Sequence, residues 1–228
     1  MGRPRKNTVE EATTKKAPKT EVLRISKPNF QWIKVVIGNF DGAPGLMVNR
    51  AKALPPKEAV GTRLGTPSPK EILTPEEHCE RALYYMPEDW KGKSKYGLPI
   101  GGFKTGMVTA GVDHGLKMKS LKRHLFLADD AAGLIEIHGE PTMDARMVKI
   151  NNRGAKIPVM AYRPIFNKWW VELRVRYNAA LYTAEEILNL ISETGISVGW
   201  GENRPEKGGA NGTWVFKPTK TKVQVTAE

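Results

Sequence analysis

Nine consecutive residues, Trp169-Trp170-Val171-Glu172-Leu173-Arg174-Val175-Arg176-Tyr177, alternate with a period of two. In an extended chain successive side chains point to opposite faces. Trp169, Val171, Leu173, Val175 and Tyr177 therefore share one face, and Trp170, Glu172, Arg174 and Arg176 share the other. A strand that is apolar on one side and charged on the other belongs to a sheet covered on one side, the usual habit of antiparallel sheets. Only one of the adjacent tryptophans can be core, and the alternation leaves open which.

Other segments supply partners for this strand. Phe30–Val36 has strand composition, and Leu134–Gly139 reads as another strand. Short extended pieces, Met147–Ile150 and Pro158–Tyr162, flank a turn at Asn151–Gly154. Thr74-Pro75-Glu76-Glu77 opens a helix expected to reach about Tyr85. Ile100 to about Gly115 is helical, with Phe103, Met107 and Ala110 on one face. Thr183-Ala184-Glu185-Glu186 opens a further helix, expected to end at Gly195. Near the C-terminus two β-like runs, Ile196–Val198 and Trp214–Phe216, enclose a loop holding Gly199, Gly201, Gly208, Gly209 and Gly212. Stripped of insertions, the order is strand, helix, strand, strand, helix, strand. That predicts an α+β fold, a ferredoxin-like βαββαβ antiparallel sheet with both helices on one face. The expected layout is a disordered basic tail at 1–27, a single α+β domain at 28–218 with a Pro-rich arm at about 51–75, and a polar tail at 219–228.

The chain has 228 residues and a formal net charge of +12. Such an excess points first to nucleic acid. Residues 1–27 hold eight Lys and Arg against three Glu. Gly2-Arg3-Pro4-Arg5-Lys6 resembles an AT-hook core, an extended Arg-Pro segment suited to a narrow minor groove. Candidate phosphate-contacting residues are Arg3, Arg5, Lys6, Lys104, Lys117, Lys119, Lys122, Arg123, Arg174, Arg176, Arg204 and Lys207. Gly208 and Gly209 would let backbone amides approach a polyanion. Trp170, Trp90 and Tyr96 are candidates for stacking on bases. The expectation is that these cations form one continuous track across the folded body.

The single cysteine, Cys79, excludes an intramolecular disulfide and suggests a reducing compartment. No apolar run is long enough to span a bilayer, so the expected location is the cytoplasm, with no membrane partner. His78, His114, His124 and His138 lack zinc-site spacing, and the glycine loop lacks the Gly-Lys-Ser/Thr ending of a Walker loop. No metal or cofactor is expected. Asp41, in the turn Asn39-Phe40-Asp41-Gly42, is a weak catalytic candidate.

Three features resemble the RAMP superfamily, which includes the subunits that coat guide RNA in CRISPR effector complexes. The first strand is followed by Gly45-Leu46-Met47-Val48-Asn49-Arg50; Tyr96–Lys104 introduces a helix through Leu-Pro-Ile-Gly-Gly; and a glycine-rich loop closes the domain. The resemblance spans roughly residues 30–217 and implies an RNA-recognition-motif-like core. Cleaving members place an acid where Asp41 stands. The Asn203-Arg204-Pro205-Glu206-Lys207-Gly208-Gly209 loop is also similar to bacteriophage proteins of unassigned function. Together these features imply a phage-encoded, non-catalytic protein that binds single-stranded RNA or DNA and self-associates into an oligomer or filament, the Pro-rich arm reaching a neighbour. The alternatives are a virion or assembly protein holding DNA through its tail, and a metal-dependent nuclease using Asp41.

Overall fold

The computed structural model describes residues 27–50, 74–152, 155–217 and 224–227. The predicted tail up to residue 26, with Arg3, Arg5 and Lys6, lies outside them, as does the Pro-rich segment 51–73.

Two strands form the centre. β1 (Phe30–Gly38) pairs antiparallel with β8 (Trp170–Asn178) over nine residues. The far edge of β1 takes two short strands, β9 (Val215–Phe216) and β10 (Gln224–Ala227). The far edge of β8 takes β4 (Leu125–Ala128) and β5 (Leu134–His138), and β5 pairs with β3 (Gly97–Pro99). Every pairing is antiparallel. The register places Ile33 beside Val175, Val35 beside Leu173 and Ile37 beside Val171, all buried. Across from them lie Phe103 and Met107 of α2 (Ile100–Asp113) and Ile187 and Ile191 of α4 (Ala184–Glu193). Each such side chain contributes about 1.5–3 kcal/mol through burial. A short helix, α3 (Met118–His124), leads into β4 and buries Leu121. The fold is thus α+β with helices on one sheet face.

Local chemistry explains the helix ends. Thr74 caps α1 (Pro75–Ala82) and Thr183 caps α4, each in a reciprocal box with the glutamate three residues on. α1 stops at Ala82, three residues before the expected end at Tyr85, because Leu83 is extended and donates back to Glu80.

Two expectations are corrected. First, the two short extended pieces belong to one long ribbon, β6 (Pro141–Asn152) paired with β7 (Ala155–Phe166) over twelve residues each. β2 (Leu46–Met47) joins only its base, so Pro158 lies where β7 has, among the described residues, no second strand beside it, and proline is tolerated there. Second, Ile196–Val198 is no strand. The helix runs on past Gly195 as a π-helical turn, Thr194–Val198, in which Thr194 and Ser197 hydroxyls donate to carbonyls four residues back. Within the expected polar tail, β10 extends the sheet. Of the two adjacent tryptophans, between which the alternation did not choose, Trp169 is the core one, 2% exposed, and stands just before β8.

Candidate nucleic-acid interface

The sheet face opposite α2 and α4 has no helix on it among the described residues. The register arranges it in rows. Trp32, Arg176 and Phe126 form one row, Lys34, Arg174 and Ala128 the next, and Gly38, Trp170 and His138 a third. The Arg176 guanidinium lies 4.4 Å from the Phe30 ring centre and 6.0 Å from that of Phe126. The two rings meet edge to face at 6.0 Å. Lys104, from α2, places its Nζ 5.1 Å from the Phe126 ring centre. At the other end the His138 imidazole stacks on Trp170 with centres 3.6 Å apart and planes 13° apart. Lys217 Nζ lies 5.9 Å from the Trp170 centre. Burial holds the His138 imidazole below its ordinary value, with the Glu136 carboxylate pulling the other way. At neutral pH the stack is therefore an uncharged aromatic pair beside an ammonium.

Next to Trp170 a groove of about 620 Å³ opens between the β1–β2 loop and the β7–β8 turn, with Phe40, His138, Lys168 and Trp170 in its walls. That volume accommodates a nucleotide-sized ligand. Asn39 fixes the two loops together, accepting from Trp169 N at 2.9 Å and donating to Asn167 O at 2.6 Å.

The cations do not form the continuous track expected. Acids interrupt them. Lys34 pairs with Glu172 at 2.8 Å, Arg174 with Asp130 at 2.6 Å and Arg163 with Glu202 at 2.8 Å. Lys117, Lys119, Lys122 and Arg123 are exposed at and within α3, apart from the rows just described. Of the predicted residues, the fold brings Trp170, Arg174 and Arg176 onto one face and Lys104 to its edge. Phe30, Trp32, Phe126, His138 and Lys217 join them without having been singled out. The Phe30-Gln31-Trp32-Ile33-Lys34 alternation was the signal that could have found the first two.

The glycine loop is held differently from the expectation. Arg204 pairs with Glu206 and donates to Gly201 O at 2.9 Å. The amides of Gly208 and Gly209 donate to Pro205 O and Arg204 O within the loop, so they are not presented to a polyanion. The loop closes on β2 instead. Gly212 N and Asn211 Nδ2 both donate to Gly45 O, and Glu202 N donates to Met47 O. Lys207 remains exposed at the mouth of a second groove, also about 620 Å³, which separates the loop from Gly101, Gly102 and Thr105 of α2.

Other candidates have structural roles. Tyr96 belongs to the core and meets Phe166 edge to face, which removes it as a stacking residue. Trp90 is half-buried in the loop that Ser94 ties to Glu136. The Asp41 carboxylate accepts from Ala43 N, the bond of an ordinary turn. Among the described residues no cluster of three or more His, Cys, Asp or Glu could hold a metal ion. Cys79 is half-buried, and burial raises its thiol pKa. Among the described residues no helix is long and apolar enough to cross a membrane.

No family model matches the sequence, and no curated protein sequence matches it either. In three dimensions the chain is similar to one in the cryo-EM structure of the Type III-B Cmr-beta bound to cognate target RNA, with a TM-score of 0.45 and 11% sequence identity. The match covers 87% of this chain and 61% of that one, so this chain spans about three-fifths of that chain's length.

Proposed function

We propose that the protein binds single-stranded nucleic acid, RNA or DNA, across the uncovered face of its central sheet, and does so without catalysis. One observation carries this reading: aromatic rings and cations are interleaved on that face, with Arg176 near both Phe30 and Phe126 and Lys217 near the stacked pair of Trp170 and His138. Bases offer flat π-faces, and phosphates seek cations. A surface that interleaves rings with guanidinium and ammonium groups meets both needs without reading sequence. A ferredoxin-like reading of the core is part of the same proposal. Taking β4 and β5 as one strand and β9 and β10 as another, the sheet order by chain position is fourth, first, third, second.

Several cations are already neutralised by acids, so stacking supplies more of the affinity here than charge does. Fluorescence titration of the full chain with single-stranded and duplex oligonucleotides, at two salt concentrations, tests this. Single strands are expected to bind in preference to duplex. The log–log salt slope should be near −2, as about three neutralised phosphates give. An Arg3→Ala/Arg5→Ala/Lys6→Ala variant should keep most of the single-strand affinity. Duplex preference, or loss of all binding with those three residues, would contradict the proposal and favour DNA contact through the N-terminal segment.

A further inference from the structure

The rings of the uncovered sheet face gather at two places. Arg176 of β8 marks one and Trp170 of the same strand marks the other. An even number of residues separates them, so both point to the same side. Six steps of strand put them about 20 Å apart. Arg176 shares its row with Trp32 and Phe126. Phe126 is 39% exposed, and the Lys104 ammonium reaches its ring from α2. Trp170 shares its row with His138, whose imidazole stacks on it. The groove walled by Phe40 and Lys168 opens beside that pair.

Between the two places the chemistry differs. The intervening rows hold Lys34 beside Arg174, and Val36 beside Glu172. None of these residues carries a ring. Lys34 is paired with Glu172, and Arg174 with Asp130. Asp130 also accepts from Glu136 N at 2.8 Å, which fixes it against β5. A phosphate passing over such pairs gains little, because each acid repels what its cation attracts.

We propose that a bound strand runs lengthwise along β8 and is gripped at two stations, one base stacking at Trp170 and another at the Phe126–Arg176 cluster, while the nucleotides between them cross the paired ions without being held. This rests on the single-strand reading above and adds the direction of the strand and the positions at which it must offer bases. Three stacked nucleotides, at about 3.4 Å each, reach one station and not both. A longer strand gripped at one station presents its far end to the other at high local concentration, which raises affinity without strengthening either contact. A path across the strands, within one row, would meet a single station.

Anisotropy titrations of the full chain with ten-nucleotide thymidine or uridine strands, differing only in which positions lack a base, test it. A strand with three bases at each end and four abasic positions between them should bind within about threefold of the fully based strand, since the central bases touch nothing that stacks. A strand with three bases at one end and seven abasic positions should bind roughly tenfold or more weaker, because it reaches one station. Trp170→Ala, and separately Phe126→Ala/Arg176→Ala, should each bring the two-ended strand down to the level of the one-ended strand. The comparison of strands on the wild-type chain needs no variant to fold. A two-ended strand that binds no better than the one-ended strand would overturn the lengthwise path and leave the single-strand reading standing, as would a folded variant that binds the two-ended strand like wild type. Failure of every strand, the fully based one included, would remove the single-strand reading and this inference with it.

Discussion

Trp214→Ala is expected to destabilise the protein by about 3–5 kcal/mol, the range for emptying a buried tryptophan site. The indole is 2% exposed. It lies 5.6 Å from the Phe103 ring and 6.5 Å from Trp169, edge to face with the latter. Its Nε1 donates to Ile191 O at 3.1 Å, in the last turn of α4. The substitution opens a cavity where α2, α4 and the sheet meet and removes the donor from a buried carbonyl. Domains of this size are stable by only about 5–15 kcal/mol, so the loss should be plain in urea unfolding followed by circular dichroism. The midpoint should fall with an unchanged slope. A loss under about 1 kcal/mol would mean that Trp214 does not anchor the loop to the core.

Gly212→Ala is expected to cost about 2–5 kcal/mol, although it adds one methyl group. Gly212 has φ +69°, a left-handed conformation that any Cβ disfavours by roughly 1–2 kcal/mol. A Cβ there would also overlap the carbonyl oxygen of Trp200. That oxygen belongs to backbone and cannot move aside cheaply, because Trp200 N donates to Gly212 O at 2.9 Å. Gly208 provides the comparison. Its φ is +79°, but open space surrounds the position, so Gly208→Ala should show only the conformational part. Thermal melts of the two variants side by side test whether the loop's glycines serve close packing. Equal losses would contradict the packing role assigned to Gly212.

Much of the central fold was legible in the sequence. Period-two alternation in Trp169–Tyr177 identified β8 and its buried face, since strand geometry makes that inference local. Hydroxyl caps followed by glutamates located the starts of α1 and α4 for the same reason. The ribbon was not legible. Met143, Met147 and Met160 face solvent on the same strands that carry Asp144, Arg146 and three prolines, so no clean alternation survives. Its register comes from cross-strand pairing, which lies outside any local window. The strand after Gly195 was misread because β-branched residues also suit a buried helical turn when tertiary packing holds it. Thr194 and Val198 are buried there.

The candidate site was half legible. Alternation put Trp170, Arg174 and Arg176 together. The stack of His138 on Trp170 required knowing that β5 lies beside β8. The glycine loop misled because composition cannot tell amides offered to a ligand from amides already used within the loop. Likewise a charge total of +12 does not report that Glu172, Asp130 and Glu202 each sit against a cation.

The most direct check is the single-strand affinity of the Trp170→Ala variant, measured by fluorescence anisotropy of a labelled oligonucleotide. Trp170 is half-buried on the sheet surface and outside the core, so the melting temperature should change little. A lost base stack of about 1–3 kcal/mol weakens binding roughly 5- to 150-fold. That loss, with Lys119→Ala on α3 changing affinity less than about threefold, is the predicted result. Undiminished affinity in Trp170→Ala would mean that the nucleic acid, if bound at all, does not cross the uncovered face of the sheet.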